Sequence, residues 1–160
     1  KLESEIEDLQ NNIFYFIKNL DDTSVSASTF YIDVIGDLQD IAQSVGFISK
    51  VSHKHINNNH KGLKKNQSKE LKSIDEKLCV IFNKVQAAFD LRAFDQIPAL
   101  IEDKKDLLKD VSVYAQKQVE RTRTSESSPK NTTLYFSILL ETEDLIKATM
   151  SLLELYASKK

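Results

Sequence analysis

Residues 31–42 read YIDVIGDLQDIA and carry two spacing patterns at once. Val34, Leu38 and Ile41 follow each other at steps of four and three, which is the spacing of one face of an α-helix. Asp33, Asp37 and Asp40 follow the same spacing and therefore form a second stripe on that helix. The stretch predicts an amphipathic helix whose acids lie along the flank of its apolar face.

The same apolar spacing continues in both directions and predicts five long helices. They are expected to begin near residues 2, 24–28, 68, 98 and 131 and to end near residues 21, 57, 92, 123 and 157. With three Gly, two Pro and no Trp in 160 residues, the chain lacks the turn residues of a β-rich fold. We therefore expect one all-α domain over residues 1–160, an up-and-down antiparallel helical bundle.

Composition and charge exclude several classes of function. A net charge of -2, from 22 basic and 24 acidic residues, gives no general basic field for nucleic acid. No apolar run approaches the roughly 20 residues that cross a bilayer, so this stretch is expected to be soluble. Cys79 is the single cysteine, has no basic activator nearby in the sequence and is expected to pack inertly beside Leu78. No catalytic motif is present, so neither enzyme activity nor a small-molecule substrate is predicted.

Two of the predicted helices resemble each other. Residues 28–41, STFYIDVIGDLQDI, align without a gap with residues 132–145, TTLYFSILLETEDL. Tyr31 meets Tyr135, and Asp40 meets Asp144. This pairing predicts a degenerate repeat of a helical hairpin, with the two tyrosines in equivalent surroundings. The alternative is that two amphipathic helices of similar composition align by chance.

Residues 31–37 resemble the LERIGD signature of PhoU-like proteins, a helical-bundle family in which an acidic residue, three spacers and an Asp bind metal. Asp33 and Asp37 match the two acids, whereas Ser137 and Glu141 occupy these positions in the second copy. Residues 28–63 and 131–155 resemble, more specifically, the cytoplasmic PhoU-like tail of bacterial sodium/phosphate cotransporter family proteins.

That resemblance implies a regulatory or assembly domain at the C-terminus of a sodium-dependent phosphate transporter, on the cytoplasmic face of the plasma membrane. The chain begins inside a helical pattern, which is expected of a piece of such a longer protein. The implied partner is the membrane domain of the parent transporter, and a second copy of the chain is another candidate. Two alternatives stay open: a free-standing helical adaptor or dimerisation module, and a metal-binding PhoU-like regulator of phosphate signalling.

Two groups of residues are candidate sites. The acidic stripes suit a hard divalent cation or iron, although no cofactor is firmly predicted because the second motif is degraded. Its candidate ligands are Asp33, Asp37, Asp40, Glu141 and Asp144. Lysines around the connection after the second helix are candidates for contact with anionic lipid or a partner protein. They are Lys54, Lys61, Lys64 and Lys65. For both groups the alternative is a solvated surface.

Overall fold

The computed structural model describes residues 1–20 and 25–158, apart from the side chains of residues 3 and 25–27. These ranges form α-helices without a strand, so the all-α prediction is confirmed. The helices are α1 (Leu2–Lys18), α2 (Val25–Asn57), α3 (Lys65–Asp90), α4 (Ile97–Arg123) and α5 (Pro129–Ala157), with a short 3-10 turn at Phe94–Gln96. Predicted and observed limits agree to within one helical turn. Residues 21–24, where one helix was expected to end and the next to begin, lie outside the described ranges.

The helices form an up-and-down bundle, as predicted. α2 and α5 run antiparallel, since Phe30 near the start of α2 contacts Tyr156 near the end of α5, at 5.2 Å between ring centroids. α3 runs parallel to α5, because Glu70 lies beside Tyr135 and Phe89 lies beside Tyr156. α4 packs against both of them, and α1 packs against α2.

The main hydrophobic core lies between α3, α4 and α5. Its buried side chains follow helical spacing on each helix, for example Ile74 and Ile81 on α3 and Leu107 and Val111 on α4. α4 begins at Ile97 with Pro98 in its first turn, where proline displaces no helical hydrogen bond. No described helix is both long enough and apolar enough to cross a membrane.

The predicted apolar stripe of α2 is not its most buried face. Ile35 and Ala42 are buried, whereas Val34, Leu38 and Ile41 are half-buried and Val45 is 44% exposed. The reason is tertiary: α1 and α5 cover the two sides of the stripe rather than its centre. Among the described side chains of α1, Ile6 is the buried one.

Two further predictions about single residues are wrong. Tyr31 is 38% exposed and lies against Phe16, while Tyr135 is fully buried and bonds to Glu70, so their surroundings are not equivalent. The reason is that α5 contacts α2, α3 and α4, whereas α2 contacts α1 and α5. Cys79 is exposed rather than packed.

Candidate functional site: the acidic cleft and the basic end

A cleft of about 460 Å³ lies between α2 and α5 and brings together acids from both aligned segments. Asp37 and Asp40 enter it from α2, and Glu141 and Asp144 enter it from α5. The antiparallel packing of two helices with acids at helical spacing places both stripes on the same side of their contact. We call this group the acidic cleft. Asp33, the fifth candidate ligand, does not line it.

Asp37 is a partly buried acid of the acidic cleft. Burial raises the pKa of its carboxyl group, and the charges of Asp40, Asp33 and Glu154 raise it further, while a hydrogen bond with Ser151 lowers it. Its Oδ2 atom is buried and has no hydrogen-bond partner among the described residues. Although Asp33 does not line the cleft, its negative charge helps to raise the pKa of Asp37.

The acidic cleft has the oxygen ligands that hard cations prefer. However, no group of three or more His, Cys, Asp or Glu side chains in the described ranges is close enough together to hold a metal ion. Lys147, which also lines the cleft, forms ion pairs with Glu143 at 2.7 Å and Asp144 at 4.0 Å. The four acids share one cleft without converging on one point.

Replacing Asp37 by asparagine is expected to raise the free energy of unfolding by about 1 kcal/mol at pH 7, because it removes a partly buried charge with an unsatisfied oxygen. A raised carboxyl pKa means that wild-type stability falls as the pH rises from about 3.8 through the folded-state pKa. The stability gained by Asp37→Asn should therefore vanish in acid. Urea unfolding of wild type and Asp37→Asn at several pH values measures this difference in free energy.

Asp75→Asn, an exposed acid of α3, is the matched control and should change stability little at any pH. A loss of stability in Asp37→Asn at pH 7 would contradict the expectation. It would show that the ionised carboxylate has a stabilising partner.

Positively charged lysines cluster at the end of the bundle where α2 ends and α3 and α5 begin. Lys54, Lys61, Lys64 and Lys65 are all exposed there. Within the described residues none of the four forms an ion pair. Lys130 joins them from α5 and shares a pocket of about 250 Å³ with Lys54. We call these five lysines the basic end.

The helix dipoles largely cancel at the basic end. The N-termini of α3 and α5 lie there, but so do the C-termini of α2 and α4, and the opposite partial charges of the two kinds of terminus are similar in size. His55 is buried, and its Nε2 lies 3.0 Å from the carbonyl oxygen of Lys61. That contact holds the α2–α3 connection against the end of α2.

A buried polar network supports the basic end from inside the bundle. Arg121 of α4 donates to both carboxylate oxygens of Glu70 on α3, at 2.9 and 2.5 Å. The Tyr135 hydroxyl donates to the same carboxylate at 2.5 Å. Burial raises the pKa of Glu70, but the hydrogen bonds from Arg121 and Tyr135 and the charges of Arg121 and Lys117 lower it overall.

Amide side chains extend this network. Gln67 donates to the side chains of Gln118 at 2.9 Å and Ser127 at 3.2 Å, and it accepts a hydrogen bond from the backbone of Lys64 at 2.8 Å. Asn131 donates to the carbonyl oxygen of Gly62 at 2.9 Å. The start of α3 and the connection that carries the lysines are thereby fixed to α4 and α5.

The sequence interpretation missed this network, although a signal was present. Val111, Tyr114, Gln118 and Arg121 continue the apolar spacing of α4, which places the last two polar side chains on its buried face. A polar residue at a predicted core position requires a buried partner. That rule would have indicated a network at this end without naming Glu70 as the partner.

Comparison of the whole chain with protein-family models, with curated proteins and with solved structures found no match.

Proposed function

We propose that this chain is a regulatory or assembly domain that works by binding a surface, with the basic end as its contact. The observation that carries the proposal is the group of exposed lysines that form no ion pair with any described residue, on a connection whose backbone is held by hydrogen bonds. Each lysine close to an anionic membrane surface contributes about 1 kcal/mol of binding free energy.

The parent protein in this proposal is a sodium-dependent phosphate transporter, with the domain at the cytoplasmic face of its membrane. Two features support this assignment: the PhoU-like motif in α2, and the packing that places Asp37 and Asp40 in one cleft with their aligned acids on α5. The tyrosine pair does not support it, since Tyr31 and Tyr135 have different surroundings. The domain would act by favouring one conformational state of the transporter.

Sedimentation with lipid vesicles tests the proposed contact. The wild-type chain should bind vesicles that contain an anionic phospholipid and not purely zwitterionic ones, and binding should fall as salt is added. Changing Lys54, Lys61, Lys64 and Lys65 together to glutamine should weaken binding at least tenfold.

A second quadruple variant makes the same change of net charge away from the basic end, at Lys18, Lys105, Lys109 and Lys147. It should bind nearly as well as wild type. Equal loss of vesicle binding in both variants would show that only net charge matters. If wild type does not bind anionic vesicles, the basic end is not a membrane contact.

A test of the transporter context requires the full-length polypeptide that contains this domain, expressed in its host. Deleting residues 1–160 from that polypeptide should change sodium-dependent uptake of radiolabelled phosphate while the transporter still reaches the membrane. A polypeptide without membrane spans, or uptake that stays unchanged, would favour the free-standing adaptor instead.

A metal-binding regulator of phosphate signalling, the second candidate function, would hold its ion in the acidic cleft. Because its acids do not converge and the second motif is degraded, we predict no tight metal binding. Elemental analysis of protein purified without chelators compares the metal content of wild type with that of the double variant Asp33→Ala and Asp37→Ala. Stoichiometric metal in wild type that is lost in the variant would establish the metal-binding function.

A further inference from the structure

The pocket of about 250 Å³ at the basic end lies between the end of α2 and the start of α5, and we call it the basic pocket. Two ammonium groups line it from different helices, that of Lys54 on α2 and that of Lys130 on α5. Val51 and Leu134 give it apolar walls. The rest of its lining is polar and includes His55, Asn58, His60 and Ser137.

The basic pocket is positively charged because the segments that form it contain no acid. Residues 41–69 include six lysines, all three histidines and no Asp or Glu, and residues 127–140 likewise contain no acid. Neither Lys54 nor Lys130 forms an ion pair with another described residue. A concave surface with charges of one sign and apolar walls concentrates the electrostatic potential. The pocket therefore favours an anion.

The wall that α2 provides is fixed by the way this helix ends. Asn59 has a φ of 52°, and its N–H donates to the carbonyl oxygen of Ile56 at 2.9 Å. The N–H of His60 donates to the carbonyl oxygen of His55 at 3.3 Å. These two bonds around a left-handed residue form a Schellman motif, which turns the chain back on the helix. The rings of His55 and His60 consequently lie 5.1 Å apart, and the wall is formed before any ligand binds.

Neutral donors complete the lining of the basic pocket. The side chains of Asn58 and Ser137 form no hydrogen bond with any described residue, so an amide group and a hydroxyl group are available to a ligand. Together with two ammonium groups they match a ligand that has about two negative charges and several acceptor oxygens. A phosphate monoester has nearly two negative charges at neutral pH and three terminal oxygens, whereas a carboxylate has one charge and two oxygens.

We infer that the basic pocket binds a terminal phosphate group, either of a soluble phosphate monoester or of a lipid headgroup. Its volume of about 250 Å³ is below the range of pockets that hold drug-sized molecules, which suits a group of this size. The inference rests on the proposed function in that the ligand lies at the basic end. It goes further because binding to a surface through charge alone requires no pocket.

Titration of the isotope-labelled chain with glycerol phosphate, followed by amide NMR signals in chloride buffer, tests the basic pocket. Wild type is expected to bind with a dissociation constant on the order of 1 mM. Lys54→Gln with Lys130→Gln should weaken binding at least tenfold. Lys61→Gln with Lys65→Gln makes the same change of net charge at the basic end, outside the pocket, and should leave the constant within threefold.

Two further measurements separate the pocket from its charge. Ser137→Leu leaves every charge in place but occupies part of the pocket, so it should also weaken binding of glycerol phosphate at least tenfold. Acetate should bind wild type at least tenfold more weakly than glycerol phosphate does. No binding of glycerol phosphate up to about 20 mM would overturn the inference. Equal losses in the two lysine pairs, or equal binding of acetate and glycerol phosphate, would also overturn it.

Vesicles distinguish the two sources of the phosphate group. Phosphatidylcholine is mixed with phosphatidic acid, which has a terminal phosphate, or with phosphatidylserine, whose phosphate is a diester, at matched surface charge. A lipid source predicts at least tenfold tighter binding to phosphatidic acid, and Lys54→Gln with Lys130→Gln should remove that preference. A soluble source predicts binding of glycerol phosphate without such a preference.

The same measurements separate this inference from the proposed function. Binding to both kinds of anionic vesicle without a preference, and without binding of glycerol phosphate, would overturn the basic pocket and leave the membrane contact in place. Binding of glycerol phosphate without binding to either kind of vesicle would support the basic pocket as a site for a soluble ligand and remove the membrane contact.

Discussion

Replacing Glu70 by alanine lowers the free energy of unfolding by about 3–5 kcal/mol, because it leaves the guanidinium of Arg121 buried without its counter-charge. The side chains of Glu70 and Arg121 are only 12% and 9% exposed, so water does not replace the lost partner. Tyr135 also loses the acceptor of its hydroxyl group. This is the largest electrostatic effect that we expect from any single substitution in the protein.

The same carboxylate gives stability a defined dependence on pH. Because the folded-state pKa of Glu70 is lowered, its contribution is complete above the unfolded value of about 4.5 and is lost as the pH falls through the folded-state pKa. Urea unfolding of wild type and Glu70→Ala should therefore converge in acid.

Glu76→Ala is the control for Glu70→Ala. It removes an exposed acid of α3 whose pair with Lys72 spans 3.8 Å, and it should change stability by no more than about 0.5 kcal/mol. Similar effects in both variants would show that Arg121 reaches solvent when Glu70 is absent, and the network would then not be a buried unit.

Leu139→Ala should lower the free energy of unfolding by about 2–5 kcal/mol, through the lost burial and the cavity that remains. Leu139 is 1% exposed in the core between α3, α4 and α5. Its neighbour Leu140 is 59% exposed, so Leu140→Ala should stay within about 0.5 kcal/mol.

The two adjacent leucines make a matched pair, since chemistry, helix and change in propensity are the same. Chemical denaturation of both variants compares them directly. Equal effects, or a larger effect at Leu140, would mean that α5 is rotated about its axis relative to the described packing.

The acidic cleft was only partly predictable. The spacing of Asp33, Asp37 and Asp40 placed them on the flank of a helix, and the alignment matched Asp37 with Glu141. Spacing along one helix could not show that α2 and α5 pack against each other, or that Asp33 lies outside the cleft. It also could not show that Oδ2 of Asp37 is buried without a partner, because that depends on the neighbouring helix.

The sequence alone determined the helices, their limits and their up-and-down order, because helical periodicity and turn residues act over short distances along the chain. Only the tertiary structure decided which apolar stripe became buried. α5 has neighbours on several sides, and Tyr135 lies inside the bundle beside Glu70 and Arg121. α2 contacts only α1 and α5 extensively among the described helices, and its aligned Tyr31 remains partly exposed to water. Burial is a property of neighbours that are distant in sequence, so equal patterns on two helices do not fix equal surroundings.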